Sequence, residues 1–393
     1  MDLSIKNVFL EDLQAKAKKE ISLGVYVHVP FCASTCDFCA FYQETPLRRD
    51  LLNFLETIGQ EMNQFVSPGN VNTAFWGGGT PGLLPAGDLE KLGRYQLEAL
   101  GVPAEEWTVE MAPSTVKPDK LKVLRELGVN RISLGVQSFQ DEMLDAIGRR
   151  QSSSQALDAY DRIREAGFDN VNIDLMFALP NQTMDLWIRD LEKLRELSPD
   201  HVSTYCLTFE EDTALYVKLS KGQIIQDVER EADFYERTWE RLDAMGLQQY
   251  EVSNFTRPGK ACQHNLNTWK MHEWIGFGPS ASSQFAGRRF TNDANLKTWM
   301  SGVESGNPVF MDESELTPDE LALDSIIFGL RMNEGIDLDA VYERFPGLKD
   351  SGVEAFLNSL VKEGLTEASG RIFRLTVSGR LVVDRIGAEL MDL

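Results

Sequence analysis

Six short apolar, β-branched runs alternate with helical patterns between residues 24 and 207. The runs are Gly24–Val29, Thr73–Trp76, Thr108–Met111, Arg131–Val136, Val171–Ala178 and Val202–Leu207. Leu51–Phe65, Ala86–Ala99, Pro118–Leu127, Ser154–Ala166 and Met184–Leu197 read as the helices between them. A helix that carries the chain back to the same end of a sheet makes consecutive strands parallel. The rhythm therefore predicts a full or partial (β/α) barrel, or an open doubly wound sheet. Pro85, Pro118 and Gly167 fall where helices should begin or end.

The rest of the chain reads differently. Residues 1 to about 22 read as an amphipathic lead-in. The pattern loosens from Phe209 to Pro308, around one long helix over Asp227–Met245. Beyond Leu316, helices over Pro318–Arg331, Leu338–Arg344 and Ser351–Glu363 precede a hairpin and a last helix, an order resembling a winged-helix module. The expected division is 1–22, a core with an extension over 23–310, and a C-terminal α+β module over 311–393. There is no internal repeat.

A strand buried on both faces should read almost continuously apolar, and these do not. Val25, Val27 and Val29 oppose Tyr26 and His28. Val109 and Met111 oppose Thr108 and Glu110, and Ile132, Leu134 and Val136 oppose Ser133, Gly135 and Gln137. Ile173, Leu175 and Phe177 oppose Asn172 and Asp174. Four strands giving one face to polar groups near their C-terminal ends predict an interior site, roofed by loops at the end where barrels place ligands. The bland alternative is that each polar residue closes a local hydrogen bond.

The loop after the first run carries Cys32, Cys36 and Cys39, spaced C-x3-C-x2-C. A four-iron cluster takes four thiolates, so three leave one iron open to a small molecule. Zinc needs a fourth ligand and usually paired knuckles. A disulfide framework needs an oxidising compartment and a short chain with an even set of cysteines, whereas this chain has 393 residues and 5 cysteines. Gly77-Gly78-Gly79-Thr80-Pro81, ending the second run, offers backbone to a ligand. It is no P-loop, because no Gly-Lys-Ser/Thr follows.

Composition narrows the partners. With 39 Lys plus Arg against 61 Asp plus Glu, the net charge is −22, which argues against nucleic acid and anionic membranes. No apolar run reaches the ~20 residues of a spanning helix. The start, Met-Asp-Leu-Ser-Ile-Lys, has no secretory pattern. The expected compartment is the cytoplasm.

With these motifs the sequence resembles the radical S-adenosylmethionine (SAM) superfamily. Within it, the chain is similar to oxygen-independent coproporphyrinogen III oxidases and their sister branch, the HemW-type haem chaperones. The resemblance rests on Tyr-Val-His-Val-Pro-Phe-Cys, Trp-Gly-Gly-Gly-Thr-Pro, Gly-Val-Asn-Arg-Ile-Ser-Leu-Gly-Val-Gln-Ser-Phe, Asn-Ile-Asp-Leu-Met-Phe-Ala-Leu-Pro and Tyr-Glu-Val-Ser-Asn-Phe. It implies a partial (β/α)6 barrel in which Cys32, Cys36 and Cys39 hold a [4Fe–4S] cluster whose open iron takes SAM. Reduction by a cytosolic electron donor would cleave SAM to methionine and a 5′-deoxyadenosyl radical. Tyr26, Gly78 and Glu110 match contacts of that SAM. Phe38, Gly79, Thr80, Gln137, Arg149 and Asp174 match contacts of a second SAM in the oxidase, so one or two SAM molecules are implied.

Two places separate the branches. The oxidases carry C-x3-C-x2-C-x-C, and here Phe41 stands where the fourth cysteine would be. The chaperones carry H-N-x-x-Y-W, with the His as the implied haem ligand. His264, Asn265 and Trp269 match, while Thr268 replaces the tyrosine. Neighbouring Cys262 is an alternative ligand, and Trp269 and Trp274 could line a porphyrin. His28 reads as packing in the cluster cavity, His201 as structural, and nothing singles out His272. The expected function is a haem chaperone that binds haem and passes it to recipient haem proteins. Its rivals are coproporphyrinogen oxidation and a radical methyl transfer.

Overall fold

The computed structural model describes residues 22–65, 67 and 69–393. All of the expected lead-in except Ser22 lies outside the described residues. Strands β1 (Leu23–Val29), β2 (Val71–Gly78), β3 (Glu106–Met111), β4 (Arg131–Gln137), β5 (Val171–Phe177) and β6 (His201–Cys206) lie side by side in chain order, each parallel to the last. The crossovers contain α1 (Arg48–Gln64), α2 (Ala86–Leu100), α3 (Pro118–Leu127), α4 (Asp141–Ala146), α5 (Ser153–Glu165) and α6 (Met184–Leu197). A strand that always lies beside its predecessor keeps every right-handed crossover on one face. This decides between the two expected architectures: the sheet winds one way, as a partial barrel.

The outward strand faces supply the core. Val25, Val27, Trp76, Val109, Leu134 and Ile173 are buried, packed with Phe54, Leu92, Leu124 and Leu191 of the helices. The helix starts read from sequence have simple causes. Pro118 is the first residue of α3, where its missing N–H removes no bond. Ser152 and Gln155 form a reciprocal capping box on α5.

The loosely patterned stretch adds five strands and the segment just after it a sixth, so that a 12-stranded sheet runs β12-β11-β10-β9-β1-β2-β3-β4-β5-β6-β8-β7. These are β7 (Gln248–Glu251), β8 (Asn254–Thr256), β9 (Glu273–Phe277), β10 (Ser282–Phe285), β11 (Arg288–Asn292) and β12 (Phe310–Glu315). Most are too short to show a period of two. The outermost, β12, straddles the boundary expected at 310–311, and its residues from Met311 to Glu315 are exposed.

A second core begins with the helix Pro318–Arg331 and includes Ile326, Leu338, Leu357 and Phe373. Its strands β13 (Ile336–Asp337), β14 (Thr366–Ser369) and β15 (Ile372–Leu375) form an antiparallel sheet ordered β13-β15-β14. This α+β module covers the other edge of the large sheet. Asn333 N donates to Tyr250 O at 2.9 Å, and Glu251 bridges to Met332.

Buried Glu61 fastens α1 to the added strands. It accepts from Gly278 N (2.8 Å), Asn292 Nδ2 (3.0 Å) and Trp299 Nε1 (3.0 Å). Burial pushes its carboxyl up to about 7, against the pull of those donors. A raised pKa means that the stability from this group is complete below its unfolded value, near 4.5, and is lost as pH rises through 7. Glu61→Ala leaves three donors without an acceptor and should cost about 3 kcal/mol or more at pH 5.5. In urea unfolding, the gap between wild type and variant should narrow at pH 8.5.

Candidate cluster and cofactor site

The cysteine loop begins where β1 ends, and the glycine run pins it there. Gly79 N donates to Val29 O at 2.9 Å and Thr80 N to Phe31 O at 2.8 Å. Cys32 N donates to Glu44 O, Asp37 N to Ile147 O and Leu215 N to Asp37 O. Lys218 pairs with Asp37 at 2.7 Å. The loop is thus fixed to four separate chain segments.

The three thiols face common partners. Cys32 Sγ lies 3.3 Å from Thr80 Oγ1. Arg149 donates Nη1 to Cys36 Sγ at 3.3 Å and Nη2 to Gly135 O at 3.0 Å. Burial raises the thiol pKa of both Cys32 and Cys39, and the charges of the triplet act on one another. All five cysteines are free. Among the described residues, no three His, Cys, Asp or Glu side chains form a group that could hold a single metal ion. Three thiols that share the charge of one guanidinium fit a cluster that gives each cysteine its own iron.

The residues matched to SAM converge from β1 to β5. Tyr26 donates to His28 Nδ1 (3.3 Å), and His28 Nε2 donates to Tyr42 O (3.2 Å). Burial takes the His28 pKa down to about 4, so this imidazole is neutral. Glu110 faces the same interior, its carboxyl raised to about 8 by burial and by Asp174, so it is largely protonated at neutral pH. Asp174, also raised by burial, accepts from Ser133 Oγ (3.2 Å) and Asn172 Nδ2 (2.7 Å). Gln137 sits at φ 71°, beside an irregularity in the β4–β5 register. Such strain gathers at working sites. Phe38 packs on the apolar cluster of Met143, Ile147, Met176 and Leu215 that walls the loop.

The glycines are required by packing as much as by any ligand. A Cβ on Gly77 would meet Glu110 Oε2 at 2.9 Å, and one on Gly79 the backbone of Phe31 at 2.8 Å. Gly78 has φ +100°, and a Cβ there would lie 2.7 Å from the His28 ring. The N–H groups of Gly79 and Thr80, expected to be bare, are spent on the cysteine loop.

His264 is elsewhere. It lies on the helix Gln263–Trp269, which plugs the N-terminal end of the barrel. Its Nδ1 lies 3.0 Å from Thr73 Oγ1, and its ring packs on Phe75. Its neighbour Gly24 is separated by about 16 Å of strand from the end of β1, where the cysteine loop starts. Burial brings its pKa to about 4, and no described residue hydrogen-bonds Nε2. Cys262 is held as a thiol, raised to about 12 by burial, with Sγ donating to Glu106 Oε1. Trp269 packs on Phe328 with Arg331 over its face, and Trp274 donates to Ser282 O.

β6 contributes an inward face that the sequence reading passed over: His201, Ser203 and Tyr205 alternate along it. The alternation polar–apolar–polar in His201-Val202-Ser203 was the available signal.

Residues 26–194 match the Radical SAM superfamily and residues 316–382 the HemN C-terminal domain. The heme chaperone HemW of Bacillus subtilis (strain 168) is 33% identical over 378 residues, covering 94% of this chain and 100% of that protein. The heme chaperone HemW of Lactococcus lactis subsp. lactis (strain IL1403) is 34% identical over 324 residues, covering 82% and 85%.

This chain belongs to the HemW family of radical SAM proteins.

Among solved structures, coproporphyrinogen III oxidase (HemN) from Escherichia coli, described as a radical SAM enzyme, aligns with a TM-score of 0.84. The identity is 25%, over 98% of this chain and 93% of that one. The expected partial barrel with a separate C-terminal module is thus borne out, and the family carries a [4Fe–4S] cluster and SAM with it. Within the family's Trp-Gly-Gly-Gly-Thr-Pro motif, Gly78→Ala should weaken binding of labelled SAM to the reconstituted protein by about tenfold, ~1.4 kcal/mol. Gly78→Ala combined with His28→Ala should recover part of that loss, because the clash is gone and only the φ strain remains.

Proposed function

We propose that this protein is a cytoplasmic haem chaperone, which binds haem and delivers it to recipient haem proteins. The observation that carries this is the relationship to curated heme chaperones over nearly the whole chain. Phe41 agrees with it: 70% exposed, it stands where the oxidase branch has its fourth cysteine. No helix of the described residues is long and apolar enough to cross a membrane.

In this reading Cys32, Cys36 and Cys39 hold the cluster, with Arg149 balancing the charge at Cys36. When bound, the cluster supplies an electron for SAM cleavage and an open position for the SAM amino and carboxylate groups. Tyr26, Gly78 and Glu110 line the first SAM position. Phe38, Gly79, Thr80, Gln137, Arg149 and Asp174 line a second where two are held. A cytosolic reductase would provide the electron.

His264 is the haem ligand. A neutral imidazole whose Nδ1 is oriented by Thr73 leaves Nε2 for iron, as metal-bound histidines are usually arranged. His264 is 7% exposed, and in this reading seating haem on its Nε2 shifts the plug helix.

The test runs two assays side by side on the anaerobically reconstituted protein. Haem titration should shift the Soret band, and His264→Ala should weaken that response at least about tenfold, ~1.4 kcal/mol. Reduced protein with SAM should leave coproporphyrinogen unchanged. Turnover to protoporphyrinogen without a Soret response would establish the oxidase instead.

A further inference from the structure

The motif Tyr-Glu-Val-Ser-Asn-Phe has no role in the site described above, yet its tyrosine joins the start of the plug helix to the first residue of β6. Tyr250 OH lies 2.9 Å from His201 Nε2 and accepts from Cys262 N at 3.4 Å. His201 Nδ1 lies 2.7 Å from Asn172 Oδ1. Asn172 Nδ2 in turn donates to Asp174 Oδ1 at 2.7 Å and Ser133 Oγ at 2.8 Å.

These contacts admit one arrangement of hydrogens. Asn172 uses its NH2 on Asp174 and Ser133, so Oδ1 accepts and His201 Nδ1 carries the proton. Cys262 N–H donates to Tyr250, so the phenol donates onward to His201 Nε2. His201 is buried and neutral, its pKa well below the usual value, as this pattern demands. A one-way chain of hydrogen bonds thus runs from the backbone at the start of the plug helix to the carboxylate of Asp174. Glu106 holds the same helix end by a second route, accepting from Cys262 Sγ, Gln263 N and His264 N.

We propose that Tyr250 and His201 are positioning residues that tie the plug helix bearing His264 to Asp174, so that haem binding at one end of the barrel weakens SAM binding at the other. The proposal rests on the assignment of His264 and Asp174 made under the proposed function. Iron reaches His264 only when the plug helix moves. That movement takes Cys262 N off Tyr250, and the phenol is then free to turn. His201 then loses its partner at Nε2, and the hold that it passes through Asn172 to Asp174 is relaxed, while Ser203 still donates to Asn172 Oδ1 at 3.3 Å and Ser133 to Asp174 at 3.2 Å. Linkage of this kind is reciprocal, so SAM must weaken haem by the same factor.

The experiment uses the full chain with its cluster reconstituted. The SAM dissociation constant is measured by equilibrium dialysis of labelled SAM, with and without saturating haem. The haem constant is measured from the Soret band, with and without SAM. Wild type should show equal weakening in both directions, about fivefold or more. Tyr250→Phe keeps the ring and removes the hydroxyl. It should bind both ligands while the mutual effect falls below about twofold. Without haem, it should also bind SAM more weakly than wild type, although residue 250 touches no part of the SAM site. Persistence of the full mutual effect in Tyr250→Phe, or its absence in wild type, overturns the linkage while leaving the chaperone reading intact. A wild type with no Soret response overturns that reading and the linkage with it. An unaltered cluster absorbance in Tyr250→Phe shows that the variant is folded.

Discussion

Burying polar groups inside a sheet is unfavourable unless each finds a partner, and this barrel turns a polar face inward along most of its parallel strands. Glu106, Arg131, Asn172, His201 and Ser203 are all nearly inaccessible to solvent. Their desolvation is offset by hydrogen bonds to one another, to Thr108 and Tyr250, and to the start of the plug helix, at several kcal/mol for any charge left unpaired. The lower half of the barrel is therefore a fixed lattice, in which Arg131 lies 3.9 Å from Glu106 and 3.4 Å from Thr108 Oγ1. The upper half leaves Tyr26, Glu110, Gln137 and Asp174 partly open, which is where a ligand can complete the set.

The cysteine loop inherits its rigidity from the same sheet. Its fixed points are the carbonyls of Val29 and Phe31, held by the N–H groups of Gly79 and Thr80. Side chains larger than hydrogen at 77, 78 or 79 would displace Glu110, His28 or the loop backbone respectively. One run of three glycines thus sets the distance between the cysteine loop and the residues matched to SAM. A folded apo-loop can present three thiols in advance, so less ordering is required when the cluster arrives.

The alternation of runs and the polar strand faces were readable because they are local and periodic. Pro118–Leu127, Met184–Leu197 and Pro318–Arg331 begin and end where the sequence reading places them. The small strands from β7 to β11 were not readable, since segments of three to five residues carry too little periodicity and owe their pairing to distant partners. Glu106 and Arg131, at the first positions of β3 and β4, carry no local signal of burial, standing between Glu105 and Trp107 and between Asn130 and Ile132. Only the plug helix, arriving from residues 263–269, makes them interior. The same distance hid the connection of Tyr250 to Asn172, which no spacing in the chain encodes.

A sheet of twelve strands that does not close must end in two edges, and the two are treated differently. The C-terminal module lies against β7. The other edge is β12, whose Met311-Asp312-Glu313-Ser314-Glu315 is exposed and strongly acidic. Unpaired backbone on an edge strand is a template for another molecule's strand, and like charges brought face to face discourage that pairing. The chain's large negative charge is therefore concentrated in part where self-association would begin. A second copy approaching this edge would bring Asp312, Glu313 and Glu315 against their own images, so the strand most open to pairing also repels its own copy.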